Sequence, residues 1–125
     1  MIVLDASAFV DAVDGNRAVI ERLSGEEVHA PHLLDVEVTS ALRRLVGAGR
    51  LDGSHAVAAL AALETADIHR HPHTPLLGLI WSMRDTIAPY NGAYVALATA
   101  LQAPLITTDR KLAANPNLQC TVELP

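Results

Sequence analysis

The sequence predicts an α/β fold built on one mostly parallel sheet. Short apolar runs are punctuated by longer stretches of helical periodicity, the pattern of strands joined through helices. Two of these runs near opposite ends of the chain, Ile2-Val3-Leu4 and Leu105-Ile106-Thr107, each lead into an aspartate that opens a helix, Asp5 and Asp109. Two carboxylates are thereby expected at the carboxyl edge of the same sheet, where open α/β sheets place their ligand sites. With 125 residues, 50% of them apolar, the chain supplies one core and is too short for two domains, so residues 1–125 are read as a single domain.

Each element has a local cause. Residues 2–4 form a short apolar strand, and residues 6–13 a helix that ends near Asp14-Gly15. A second helix is expected over 16–23, a turn over 24–27 and a brief strand over 28–30. Pro31 prefaces a strong helix from about residue 33 to 46, stopped by Gly47 and Gly49. Asp52 or Ser54 caps an alanine-rich helix through residue 66. Residues 67–73 are short and extended. Pro75 sits in the first turn of a helix reaching about residue 87, Pro89 separates it from a helix over 92–102, and the 105–107 strand follows. Cys120, in the apolar run Leu118-Gln119-Cys120-Thr121-Val122, suits a buried terminal strand. No repeat, linker or low-complexity tract interrupts this order.

Composition excludes several classes. A formal charge of −5 argues against a general polyanion-binding surface, so any nucleic-acid contact is local or assisted by cations. A lone cysteine makes no internal disulfide. No segment has the roughly 20 uncharged apolar residues a bilayer span requires, and no basic leader precedes an apolar stretch, so the expectation is a cytoplasmic protein with no membrane partner.

Between the two strand-end aspartates, Glu37 stands out. On its helix Leu34, Val38, Ala41, Leu42 and Leu45 form the apolar stripe, and Glu37 falls three after Leu34 and four before Ala41. A carboxylate on that side needs an arginine such as Arg44, a hydrogen-bond network or a metal, or else it stays protonated. Asp5 and Asp109 are each readable as helix N-caps. Three carboxylates drawn to one edge repel one another, and a hard divalent cation keeps them ionised together.

Four segments carry a family resemblance: Val3-Leu4-Asp5-Ala6-Ser7-Ala8; Leu34-Asp35-Val36-Glu37-Val38; Pro89-Tyr90-Asn91-Gly92-Ala93-Tyr94-Val95-Ala96-Leu97-Ala98; and Leu105-Ile106-Thr107-Thr108-Asp109-Arg110-Lys111-Leu112. In order and spacing they resemble the signature segments of PIN-domain ribonucleases, and Pro31-His32-Leu33-Leu34-Asp35-Val36-Glu37 and Trp81-Ser82-Met83-Arg84-Asp85 resemble the branch of VapC toxins from VapBC toxin-antitoxin modules. The resemblance implies a three-layer α/β/α domain with a central, mostly parallel sheet. It also implies an endoribonuclease dependent on Mg²⁺ or Mn²⁺ that cleaves RNA, forms a homodimer and is neutralised by a VapB-like antitoxin. By the same resemblance Asp5 and Asp109 are metal ligands, Glu37 supports the metal or its water, and the hydroxyls of Ser7 and Thr107 hydrogen-bond within the acidic cluster.

Asn91 departs from the pattern, which usually carries aspartate there. Its carbonyl still ligates a cation but brings no charge and accepts no proton, so weaker metal affinity is expected. Asn91 is equally an N-cap for a helix beginning at Gly92. Two functional readings stand: a nuclease that works with weakened metal binding, and a nuclease-dead module that still captures antitoxin or RNA. A phosphatase of the haloacid-dehalogenase type is disfavoured, because Ser7 occupies the place of its second aspartate.

Arg43, Arg44, Arg84, Arg110 and Lys111 are candidates for phosphate contacts, with solvated helix faces as the plain alternative. His69, His71 and His73 alternate along an extended segment, but Pro72 interrupts it and no other ligand cluster accompanies them in the sequence. They read as a surface edge strand rather than a zinc site. Tyr90 and Tyr94 read as core or pocket wall, and the alanine-rich helix as core or an interface.

Overall fold

The computed structural model describes all 125 residues. Five parallel strands, β1 (Ile2–Leu4), β2 (Val28–Pro31), β3 (Ile68–His71), β4 (Leu105–Ile106) and β5 (Val122–Glu123), stand in the order β3-β2-β1-β4-β5. The helices are α1 (Ala6–Val13), α2 (Arg17–Leu23), α3 (Leu33–Gly47), α4 (Gly53–Thr65), α5 (Leu77–Ser82), α6 (Pro89–Leu101) and α7 (Arg110–Ala113), and a 3₁₀ turn, Thr74–Leu76, leads into α5. The chain steps outward from β1 through β2 to β3, then returns to lay β4 on the other side of β1. Right-handed crossovers place the helices of the outward path on one face and those of the return on the other, which makes three layers. On one face α1 packs on α3 and α3 on α4; on the other α6 crosses β1, β2 and β4.

Burial follows position. β1, flanked on both sides, is buried at all three residues, as a doubly covered parallel strand requires. α3 turns Leu34, Val38 and Leu42 inward, the stripe its periodicity announced. α6 is buried without a break from Gly92 to Ala98, so its sequence has little amphipathic contrast. Gly92 allows α5 close to it: a Cβ there would stand 3.3 Å from Ile80 Cγ2.

Four expectations need correction. The helix read from Pro75 to 87 ends at Ser82, because Met83 and Ile87 turn into the core while the amides of Thr86 and Ile87 both donate to the Met83 carbonyl. α6 begins at Pro89, so Ala88 is its N-cap, extended as a residue before proline must be, and Asn91 lies in the first turn instead of capping. The terminal strand is Val122–Glu123. Cys120 precedes it half-buried, its thiol pushed up by that burial.

Candidate active site

The strand order reverses between β1 and β4, and the crevice at a reversal, beyond the carboxyl ends of the strands, is the place an α/β sheet leaves open for a ligand. Asp5 follows β1 and Thr107 to Asp109 follow β4 at this crevice. The Asp5 amide donates to the Ile106 carbonyl (3.0 Å), extending the ladder past the last paired residue and fixing the two segments side by side.

Hydrogen-bond arithmetic defines the centre. Asp5, only 7% exposed, accepts the Ala6 amide on Oδ1 (2.9 Å) and the hydroxyls of Ser7 and Thr107 on Oδ2, each at 2.6 Å. Each hydroxyl has one proton, and both are given to Asp5. The 3.1 Å contact between the two oxygens is therefore a touching of acceptors, whose other lone pairs take the amides of Thr108 (to Ser7, 3.1 Å) and Asp109 (to Thr107, 3.0 Å). Three donors at Asp5 leave one of its roughly four lone-pair sites free. Asp109 caps α7 through Oδ1, which accepts the amides of Lys111 (3.0 Å) and Leu112 (3.1 Å), and its Oδ2 is uncommitted.

Glu37 completes the wall from α3. Its Oε1 is buried with no hydrogen-bond partner, as is the Tyr94 hydroxyl from α6. Burial raises the Glu37 carboxyl above its ordinary value; the nearby Tyr94 hydroxyl offsets this in part, while the charge of Asp5 adds to it. Burial, then the charges of Glu37 and Asp5, push Tyr94 up as well. Arg44 does not pair with Glu37; it donates to Ser40 Oγ at 3.2 Å. An orphaned carboxylate oxygen beside two other acids, in a set of oxygen donors only, suits a hard cation.

The resulting cleft, about 550 Å³, is lined by Asp5, Ser7, Glu37, Asn91 and Asp109 together with Arg44, Val10 and Leu45. Asp5, Glu37 and Asp109 do not bring their ligand oxygens within 4.8 Å of one another, so the acids ring the cleft rather than converge on a point. Lys111 lies on an adjoining cleft shared with Asn91 and Asp109. Arg43, Arg84 and Arg110 line neither cleft; Arg84 stacks on exposed Trp81 at 4.5 Å from the ring centre.

Two lining residues escaped the sequence reading, Asp11 and Arg50. Asp11 was within reach, being one helical turn beyond Ser7 on the same face. Arg50 carried no periodic signal. A left-handed Gly49 (φ +69°) ends α3 and lets Arg50 bond back to the Leu45 carbonyl at 2.9 Å, folding it over the cleft.

A parallel sheet reversing at an acid-lined crevice defines the class, and the PIN-domain family model matches residues 2–118: the chain belongs to the PIN-domain family. Within that family it falls among the VapC ribonucleases. It is 46% identical over 127 residues to Ribonuclease VapC1 of Mycobacterium tuberculosis, covering 98% of this chain and 96% of that relative. It is 36% identical over 122 residues to Ribonuclease VapC9 of the same species, covering 98% and 96%. Among solved structures, VapBC2 from Rickettsia felis bound to a DNA fragment from their promoter superimposes with a TM-score of 0.68 over 99% of this chain and 98% of that one. At 14% identity this is a likeness of fold alone.

Proposed function

We propose that this chain is a VapC-type endoribonuclease toxin that hydrolyses RNA phosphodiester bonds with Mg²⁺ or Mn²⁺, acts in the cytoplasm as a homodimer and is neutralised by a small VapB-like antitoxin. The observation that carries the reading is the gathering of Asp5, Glu37, Asn91 and Asp109 around one cleft at the sheet's reversal, in a chain 46% identical to a named ribonuclease.

Asp5, Asp109 and, as a neutral ligand, Asn91 would hold the ion. When bound, it lowers the pKa of a water and offsets charge on the phosphate. Ser7 and Thr107 orient Asp5 by committing their protons to its Oδ2, which leaves one lone-pair site, on Oδ1, for the ion. Glu37, raised by burial, is poised to accept a proton at Oε1 from a water turned toward the phosphodiester. Arg44, Arg50 and Lys111 stand where phosphates of an RNA strand would pass.

An apolar trough between α1, α3 and α4, about 490 Å³ and lined by Val10, Val13, Leu42, Leu45, Leu51 and Ala59, opens onto the acidic cleft at Val10, Leu45 and Arg50. It fits the apolar face of an antitoxin segment whose basic end reaches the acids.

Asn91 favours a second reading, a nuclease-dead module that binds antitoxin or RNA. Incubating cellular RNA with this protein and with its Asn91→Asp form, each with and without EDTA, separates the two. The nuclease reading expects EDTA-sensitive cleavage in both forms, stronger in Asn91→Asp. Cleavage by Asn91→Asp alone supports the dead module, and cleavage by neither refutes the proposed chemistry.

A further inference from the structure

A different set of ligands converges on the opposite flank of the sheet. His29 of β2 and His69 of β3 are directly paired residues of adjacent parallel strands, their rings stacked with centroids 4.7 Å apart. One nitrogen of each and a carboxylate oxygen of Glu27 all lie within 4.8 Å of one another, the tightest such grouping the fold makes and one that shares no residue with the acidic cleft. We propose that Glu27, His29 and His69 form a second metal site, for zinc or a similar imidazole-preferring dication, with His71 as its positioning residue.

The chemistry distinguishes this site from the first. Two imidazoles and one carboxylate are the donor set that suits zinc with one position left to water, whereas oxygen-only sets suit Mg²⁺. A tetrahedral zinc with bonds near 2.0 Å holds its ligand atoms about 3.3 Å apart, so no pair has to close by more than roughly 1.5 Å, and the Glu27 oxygen, 2.6 Å from His29 Nε2, has to back away by roughly 0.7 Å. The groups that must move are free to do so: His69 is exposed and the Glu27 side chain is 56% exposed. His29 is fixed. It is 6% exposed, with Nε2 facing Glu27 Oε1 at 2.6 Å and Nδ1 facing His71 Nε2 at 2.8 Å.

That last contact supplies the outer partner a metal-bound histidine requires. Without metal, His29 donates Nε2–H to Glu27 and accepts Nε2–H from His71. To ligate through Nε2, His29 carries its proton on Nδ1 and donates it to His71 Nε2, while His71 carries its own on Nδ1. Both rings change tautomer and stay neutral, and no proton is lost overall. Occupancy would add a metal cross-link between edge strand β3 and β2 to the backbone ladder, the ring stack and the His29–His71 contact that already join them.

Tag-free full-length protein carrying Asp5→Asn, to weaken the acidic cleft, is titrated with zinc against a chromophoric chelator and separately with Co²⁺. One zinc per chain is expected, not displaced by millimolar Mg²⁺, together with the visible Co²⁺ bands of a four-coordinate nitrogen-oxygen site. His69→Ala and Glu27→Gln, both exposed changes, should each weaken zinc by at least about tenfold, and His71→Asn by about tenfold through loss of the outer partner. Circular dichroism establishes that each variant is folded. No zinc binding, binding that His69→Ala leaves unchanged, or zinc displaced by Mg²⁺ overturns the proposal.

Discussion

Replacing Asn91 by aspartate should tighten metal binding by about two orders of magnitude. Position 91 lies in the first turn of α6 and lines both clefts, so a carboxylate there faces any ion held between Asp5 and Asp109. A unit charge about 4 Å from a dication is worth roughly 8 kcal/mol at an effective dielectric near 20. Repulsion between the new charge and Asp5 or Asp109 is the same with and without the ion and cancels in Kd. Stripping water from the ion and the carboxylate returns most of the attraction, and about 3 kcal/mol survives, or roughly a hundredfold in Kd. Calorimetric titration of both forms with Mn²⁺ measures the ratio. A Kd that stays within twofold would refute the placement of position 91 at the metal, whatever happens to RNA.

Other outcomes follow from the same cleft. Folding pushes the Glu37 carboxyl upward, so ionising it costs the folded state. This penalty is absent below the ordinary value of 4.5, grows as pH rises through it and is complete above the raised value. Glu37→Gln should therefore raise stability at neutral pH by about 1 kcal/mol, with the gain gone in acid; urea midpoints at both pH values check it. Thr107→Val keeps the shape but removes a donor to Asp5 and the acceptor of the Asp109 amide, at a cost of about 2 kcal/mol in urea unfolding. Asp5→Ala should abolish EDTA-sensitive RNA cleavage, and full activity in that variant would sink the metal assignment.

What the sequence disclosed depended on how far apart the cooperating residues lie. Asp5 with Ser7, and Thr107 with Asp109, were legible because strand, turn and helix start are contiguous, and Glu37 because a helix period exposes a carboxylate on the wrong face. The position of Asn91 was half-read: its place at the cleft was expected, but Pro89 at the first helical position made it an interior residue of the first turn instead of a cap. The end of α5 was misjudged because Met83 and Ile87 fit a helical period and the core alike, and packing chose the turn. The histidines show the limit most clearly. His69 and His71 have no companions along the chain, and it is the parallel register of β2 with β3 that brings Glu27 and His29 to them. A pattern with period two marks which side chains share a face but says nothing of which strand lies alongside.

The same edge strand bears on the acidic cleft through α3. His73, just past β3, accepts the Leu33 amide at 2.9 Å, satisfying a donor that the α3 N-terminus otherwise leaves open, since His32 provides no side-chain cap. Arg70 of β3 grips Asp35 with both Nε and Nη2, between 2.9 and 3.1 Å, and also donates to the Leu63 carbonyl of α4. Asp35 and Glu37 are two residues apart on one rigid helix, so the hold on Asp35 also sets the height at which Glu37 meets Tyr94. Arg70→Lys retains the charge and loses the planar fork. The pair is partly exposed, so the stability cost should stay near 1 kcal/mol. Its mark would instead be on Glu37, whose ionisation depends on burial against Tyr94. If β3 positions α3, Arg70→Lys shifts the Glu37 carboxyl titration, followed by ¹³C NMR, toward its ordinary value while the fold persists; a titration identical to the unaltered protein would mean that α3 is held by its apolar stripe alone.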